Sequence, residues 1–112
     1  MRVSTKISAL MLAGAFMASA AFSQSPTVDA KKARELVDGH ECAGCHQLDM
    51  KVVGPAMKQV AAKYRDDKDA MAKLLKKVKE GGVGVWGEIP MPVNAGITDD
   101  ELKIVLAWVL AM

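Results

Sequence analysis

Cys42-Ala43-Gly44-Cys45-His46 constrains this chain more than any other stretch of it. In a C-x-x-C-H run, two thiols separated by two residues can add to the two vinyl groups of one porphyrin. The histidine that follows then lies beneath the iron as an axial ligand. The motif marks Cys42 and Cys45 as candidate covalent attachment points for haem c and His46 as a candidate iron ligand. Ala43 and Gly44 are small enough for the backbone to come close to the ring.

The same residues permit plainer chemistry. A redox-active C-x-x-C belongs in a βαβ context, and no convincing strand pattern surrounds this one. A structural zinc site needs four ligands. The soft candidates are Cys42, Cys45, His46 and His40, and His40 is too close to Cys42 for easy tetrahedral geometry. A plain disulfide between the two cysteines leaves His46 unexplained.

Export favours the haem reading. Residues 1–23 have a basic start (Arg2, Lys6), an apolar run from Ile7 to Met17, and small residues at Ala18, Ser19, Ala20 and Ser23. That pattern predicts a cleaved secretory signal peptide, with the cut after Ala20 or Ser23 and a domain over residues 24–112 in the periplasm. The run is short of the roughly 20 residues a transmembrane helix needs, so an uncleaved anchor is the lesser alternative and no stable membrane insertion is expected.

Loss of that segment takes away Arg2 and Lys6 and turns a formal charge of +2 into 13 basic against 13 acidic residues. A neutral chain gives no basis for nucleic-acid binding. Phe16 and Phe22 are lost too, which leaves Tyr64, Trp86 and Trp108 as the aromatics. A domain under about 100 residues rarely has core enough to be secure without disulfides, metal or cofactor. A buried porphyrin answers that need.

Apolar spacing predicts helices on either side of the motif. The first runs from about Asp29 to Asp38, with Asp29 as N-cap, Gly39 as stop, and Ala33, Leu36 and Val37 on one face. After an aperiodic loop from Gln47 to Val53, Gly54-Pro55 opens a second over about Ala56 to Tyr64, with Pro55 suited to the first helical position. A third, N-capped by Asp69, carries Met71, Leu74, Leu75 and Val78 inward and ends at Gly81-Gly82. Thr98 and Glu101 form a capping box for the last, whose stripe is Leu102, Val105, Leu106, Val109 and Leu110 and whose natural partner is the first helix. Between Gly81 and Ile97 no regular element fits. So long a loop in so small a domain implies a function, here wrapping one face of a flat cofactor.

The far side of the iron decides between electron transfer and chemistry on a bound molecule. Met50, Met57, Met71, Met91, Met112 and His40 are the candidates in the expected domain. Met50 and His40 are too close to the motif to reach the other face, Met57 and Met71 fall on core stripes, and Met112 is terminal. Met91 lies between Pro90 and Pro92, which fix φ and remove two backbone donors. It is the candidate sixth ligand, in the Met/His pairing known for c-type haem.

Gly54-Pro55, Val60-Ala61-Ala62-Lys63-Tyr64, Gly84-Val85-Trp86-Gly87, Ile89-Pro90-Met91-Pro92, Asn94-Ala95 and Trp108-Val109-Leu110 follow C-x-x-C-H in this order. Together they resemble the short bacterial class I cytochromes c of the cytochrome c-551 family, over essentially the whole expected domain. The resemblance implies an all-α cytochrome c fold of about four helices around one covalent haem c ligated by His46 and Met91. It further implies that the Pro55 carbonyl accepts a hydrogen bond from His46, that Trp86 reaches a haem propionate, and that Asn94 bonds near the Met91 sulfur. Glu88 and Val93 stand where close relatives tend to carry proline, and Gly96-Ile97 looks like one extra residue.

The function so implied is one-electron transfer by a monomer, without substrate chemistry. Donors would be a quinol-oxidising complex or another cytochrome, and acceptors a nitrite reductase or terminal oxidase. A contact patch is expected around Ala43, Val52, Val53, Pro92, Val93 and Ala95, with little steering from a balanced net charge and local help from Lys51 and Lys58. Three rivals belong to other classes: a haem enzyme or gas sensor with an open sixth site, a thiol-disulfide oxidoreductase, and a structural haem subunit of a larger complex.

Overall fold

The computed structural model describes residues 28–112; the expected signal peptide and the lead-in Gln24 to Thr27 lie outside the described residues. Among the described residues four α-helices form and there is no strand. Nor, among those residues, is any helix long and apolar enough to cross a membrane.

α1 spans Ala30–Gly39, and the Asp29 carboxylate caps it by accepting from the Lys32 N–H at 2.9 Å. Ala33, Leu36 and Val37 are buried as their spacing predicts. The helix takes in Gly39 instead of stopping before it, because the His40 N–H still reaches the Leu36 carbonyl at 2.9 Å. The reversal falls on Glu41, at φ 59° in the left-handed region, and a 3-10 turn over Cys42–Gly44 follows.

α2 spans Met57–Tyr64. Pro55 lies before the N-cap, not at the first helical position, because Ala56 is extended (φ −59°, ψ 147°) and Gln59 Oε1 accepts from its N–H at 2.9 Å. α3 spans Ala70–Glu80 without a side-chain cap from Asp69. There the Asp67 carboxylate accepts the Asp69 N–H at 2.9 Å, so the local turn is organised two residues upstream of the expected place.

α4 spans Asp99–Leu110 and has the expected box: Glu101 N–H donates to Thr98 Oγ1 at 3.2 Å, and Thr98 N–H to Glu101 Oε2 at 3.0 Å. It packs against α1 as predicted, and also against α2 and α3. Three partners bury more than one stripe. Leu102, Val105, Leu106 and Val109 are joined inside by Trp108, with the Arg34 guanidinium 5.7 Å from its ring centre. Ile97, expected as the end of the loop, is among the most deeply buried side chains.

The Gly81 to Ile97 segment has no helix or strand, as expected, yet it is tied down. Met91 and Gly82 exchange backbone hydrogen bonds of 2.8 and 3.1 Å, Asn94 N–H donates to the Val78 carbonyl at 3.0 Å, and Lys79 Nζ to the Ile97 carbonyl at 2.7 Å. α3 thereby holds the loop that carries Met91.

Candidate cofactor-attachment site

A cavity of about 330 Å³, mostly apolar, is walled by the inner faces of the helices and by the loop from Gly82 to Pro92. Cys42, Cys45, His46, Pro55, Trp86, Met91 and Asn94 all line it. Residues separated by as many as 52 positions in sequence thus come to one site.

The 3-10 turn brings the motif there. Its bonds run from the Cys45 N–H to the Cys42 carbonyl at 3.2 Å and from the His46 N–H to the same carbonyl at 2.9 Å. Both thiols are unpaired and half-buried. Burial pushes the Cys42 thiol above its ordinary value. A nucleophilic redox cysteine carries the opposite shift.

His46 is fixed by two neighbours. Its Nδ1–H donates to the Pro55 carbonyl at 2.8 Å. A carbonyl can only accept, so Nδ1 carries the proton and Nε2 of the neutral ring keeps its lone pair, the form a metal requires. Gly54 also lies against the ring: a Cβ there would stand 2.4 Å from His46 Cε1 and 2.8 Å from Nδ1. Sequence reading placed Gly54 only where the loop gives way to the second helix, since the ring that needs the space comes from eight positions earlier. The loop between them is closed by Gly54 N–H to the Cys45 carbonyl at 2.9 Å and by a bridge between His46 and Lys51.

Met91 is half-buried on the cavity wall. Asn94 Nδ2 donates to the His40 carbonyl at 3.3 Å and its Oδ1 accepts from the Ile97 N–H at 3.3 Å, so its amide ties the Met91 loop to the segment just before Cys42. No hydrogen bond joins Asn94 to the Met91 sulfur among the described residues. Trp86 is 39% exposed, with Lys63 Nζ 5.4 Å from its ring centre. Two cations to which the sequence reading gave no role border the site: Lys63, over the Trp86 ring, and Lys77, which lines the cavity. Lys63 was quoted above only within the run Val60 to Tyr64, and Lys77 lies outside the apolar stripe by which its helix was recognised.

These residues fit an iron porphyrin. The wall offers apolar surface for a flat ring, two thiols at attachment spacing, an imidazole with its free nitrogen set by a hydrogen bond, and a thioether.

Comparison with known proteins agrees. The family model described as Cytochrome c matches residues 30–112. The chain is 46% identical to cytochrome c-552 of Nitrosomonas europaea over 78 residues, 70% of this chain and 76% of that one. It is 41% identical to cytochrome c-551 of Pseudomonas aeruginosa over 102 residues, 91% of this chain and 90% of that one. Among solved structures, wild-type Nitrosomonas europaea cytochrome c552 superposes with a TM-score of 0.67 at 46% identity, covering 70% of this chain and 96% of that one. The class 1 cytochrome MtoD of Sideroxydans lithotrophicus gives 0.64 at 31% identity, over 76% and 97%.

Proposed function

The chain belongs to the cytochrome c family, as a small class I electron carrier with one covalent haem c and no enzymatic activity, and from that premise we propose how its residues do the work. Cys42 and Cys45 hold the haem through thioethers, and His46 and Met91 ligate its iron. When bound, the haem supplies an iron that gains and loses one electron.

The observation that carries this reading is the His46 Nδ1–H bond to the Pro55 carbonyl, in a cavity also lined by both cysteines and Met91. That bond fixes the ring's tautomer and orientation and raises the basicity of Nε2. The Gly82 pairing and the flanking prolines hold Met91, so the loop need not reorganise when the charge at the site changes. With His46 and Met91 both supplied by the chain as ligands, small molecules would be kept off the metal. A thioether in place of a second imidazole raises the potential. Trp86 lies on the cavity wall, where its indole N–H can meet a propionate.

Residues 1–23 are the signal that exports the chain to the periplasm. There it passes electrons from a quinol-oxidising complex or another cytochrome to a nitrite reductase or terminal oxidase.

Visible spectra of the periplasmic protein in both oxidation states, with an alkaline pyridine assay for covalent haem, test the assignment. Met91→Ala is expected to abolish the weak red-edge sulfur-to-iron band of the ferric form and to lower the potential while covalent haem persists. An unchanged band would remove Met91 from the iron.

A further inference from the structure

Three hydrogen-bonded contacts cross the base of the loop that carries Met91. Met91 pairs with Gly82 through the backbone, the Asn94 N–H donates to the Val78 carbonyl at 3.0 Å, and the Lys79 ammonium donates to the Ile97 carbonyl at 2.7 Å. The last joins residues 18 positions apart, the widest of the three spans, and is the one that a side chain makes. It closes the loop between the final turn of α3 and the residue before the Thr98 N-cap of α4.

Lys79 is half-buried, and its acceptor residue Ile97 is 1% exposed. Among the described residues no other hydrogen bond reaches the Ile97 carbonyl. A bond from a charged donor is roughly twice as strong as one between neutral groups, and a buried acceptor left without a partner is costly. The Ile97 N–H is held as well, by Asn94 Oδ1 at 3.3 Å, while Asn94 Nδ2 reaches the His40 carbonyl. Lys79 thus secures one end of a line of contacts that runs from α3 through Ile97 and Asn94 to the segment before Cys42. Ile97, Asn94 and Met91 all line the cavity.

We infer that Lys79 is a positioning residue for Met91: by clamping the Ile97 carbonyl it sets how readily the Met91 thioether leaves the site. This rests on the reading of Met91 as the sixth ligand. Holding the two ends of a loop together removes freedom from everything between them. A cation in the last turn of α3 also suits the helix dipole and pairs with Asp99 at 3.3 Å. Asp99 is 64% exposed there, and a pair so open to water contributes little. The carbonyl contact is the one that restrains the loop.

The test is displacement of Met91 by imidazole in the haem-loaded ferric protein, followed as loss of the red-edge band. At saturating imidazole the rate of that loss is the rate at which the thioether leaves. Lys79→Met is expected to speed it about tenfold or more, and Lys79→Arg, which can still donate to the carbonyl, to bring it back within about threefold of the parent. Two controls remove an ion pair and spare the clamp: Lys73→Met loses the contact with Asp67 in the first turn of α3, and Asp99→Asn loses the charge beside Lys79. Each is expected to change the rate less than about twofold. Amide exchange at Met91 and Gly82 in the same loaded samples is expected to follow the same ranking. Equal acceleration in Lys73→Met would overturn the proposal, since helix stability alone would then govern. Equal acceleration in Asp99→Asn would overturn it in favour of the ion pair. If Lys79→Met yields no loaded protein, Lys79→Gln is measured in its place, with the same ranking expected. A parent ferric protein without the red-edge band refutes Met91 as a ligand and the proposal with it, whereas a normal band with a displacement rate unaltered in the Lys79 variant refutes only the role of Lys79.

Discussion

Gly54 sets the position of His46 through bare steric contact. An added methyl cannot occupy a point 2.4 Å from an imidazole carbon, so Gly54→Ala must displace the ring or the loop and stretch the 2.8 Å bond to Pro55. Overpacking of this kind costs about 1–3 kcal/mol. The expected result is a lower thermal midpoint together with a shifted potential in the loaded protein, and an unchanged imidazole Nδ1–H resonance would show that the ring had not moved. Glu41 presents the reverse case. It is an exposed, non-glycine residue at φ 59°. The left-handed conformation costs an L-residue about 1–2 kcal/mol, and glycine's extra chain entropy takes back about 0.5–1. Glu41→Gly is therefore expected to stabilise by about 0.5–1 kcal/mol, read from denaturant midpoints. A destabilised variant would mean that the Glu41 side chain contributes more than its exposure indicates.

Among the elements, α3 and the loop after it form one device for holding Met91. Gly81 has φ 71°, and a Cβ on it would meet the Met91 carbonyl oxygen at 2.6 Å. Gly81→Ala should break the Gly82–Met91 pairing, speed amide exchange at both residues by about tenfold or more, equivalent to roughly 1.4 kcal/mol of lost protection, and weaken the red-edge band. Unchanged exchange would show that the prolines alone suffice. α4 depends instead on its cap. Hydrogen bonds from the Thr98 N–H and hydroxyl, both 3.0 Å from Glu101 Oε2, hold the Glu101 carboxyl below its ordinary value. A carboxyl lowered in the folded state binds its proton less readily there than in the unfolded chain. Its contribution is present above the ordinary carboxylate range and is lost as pH falls through the lowered value. In an acid titration followed by circular dichroism, Glu101→Gln should lose less stability between neutral and acid pH than the parent chain does. An identical acid limb would mean that other carboxyls dominate.

At the scale of the whole molecule, what the sequence revealed and what it concealed follow from the range of the forces involved. The helices were legible because their caps and apolar stripes lie within a few residues of one another, as at Asp29 and at Thr98 with Glu101. The attachment motif was legible because its chemistry is contiguous, and the place of Met91 on the cavity wall because two prolines set it apart in the loop. The burial of Trp108 and Ile97 was not, since it depends on α4 having three partners. The turn at Glu41 was not, because a charged residue stands where local preference asks for glycine. The same long-range logic applies to the cofactor. Leu102, Val105, Leu106 and Val109 of α4 belong to the core, yet all four also line the cavity, so the apolar face that joins the helices is shared with the bound group. Each such side chain is worth about 1.5–3 kcal/mol when fully buried, which for four of them rivals the 5–15 kcal/mol net stability of a typical domain. Cys42→Ala with Cys45→Ala, which removes covalent attachment and leaves the helical sequences unchanged, is therefore expected to give a chain with little cooperative structure. Circular dichroism during thermal unfolding of the haem-free variant decides it. A sharp, native-like transition would show that α1 and α4 with their small aliphatic core hold the fold without the cofactor.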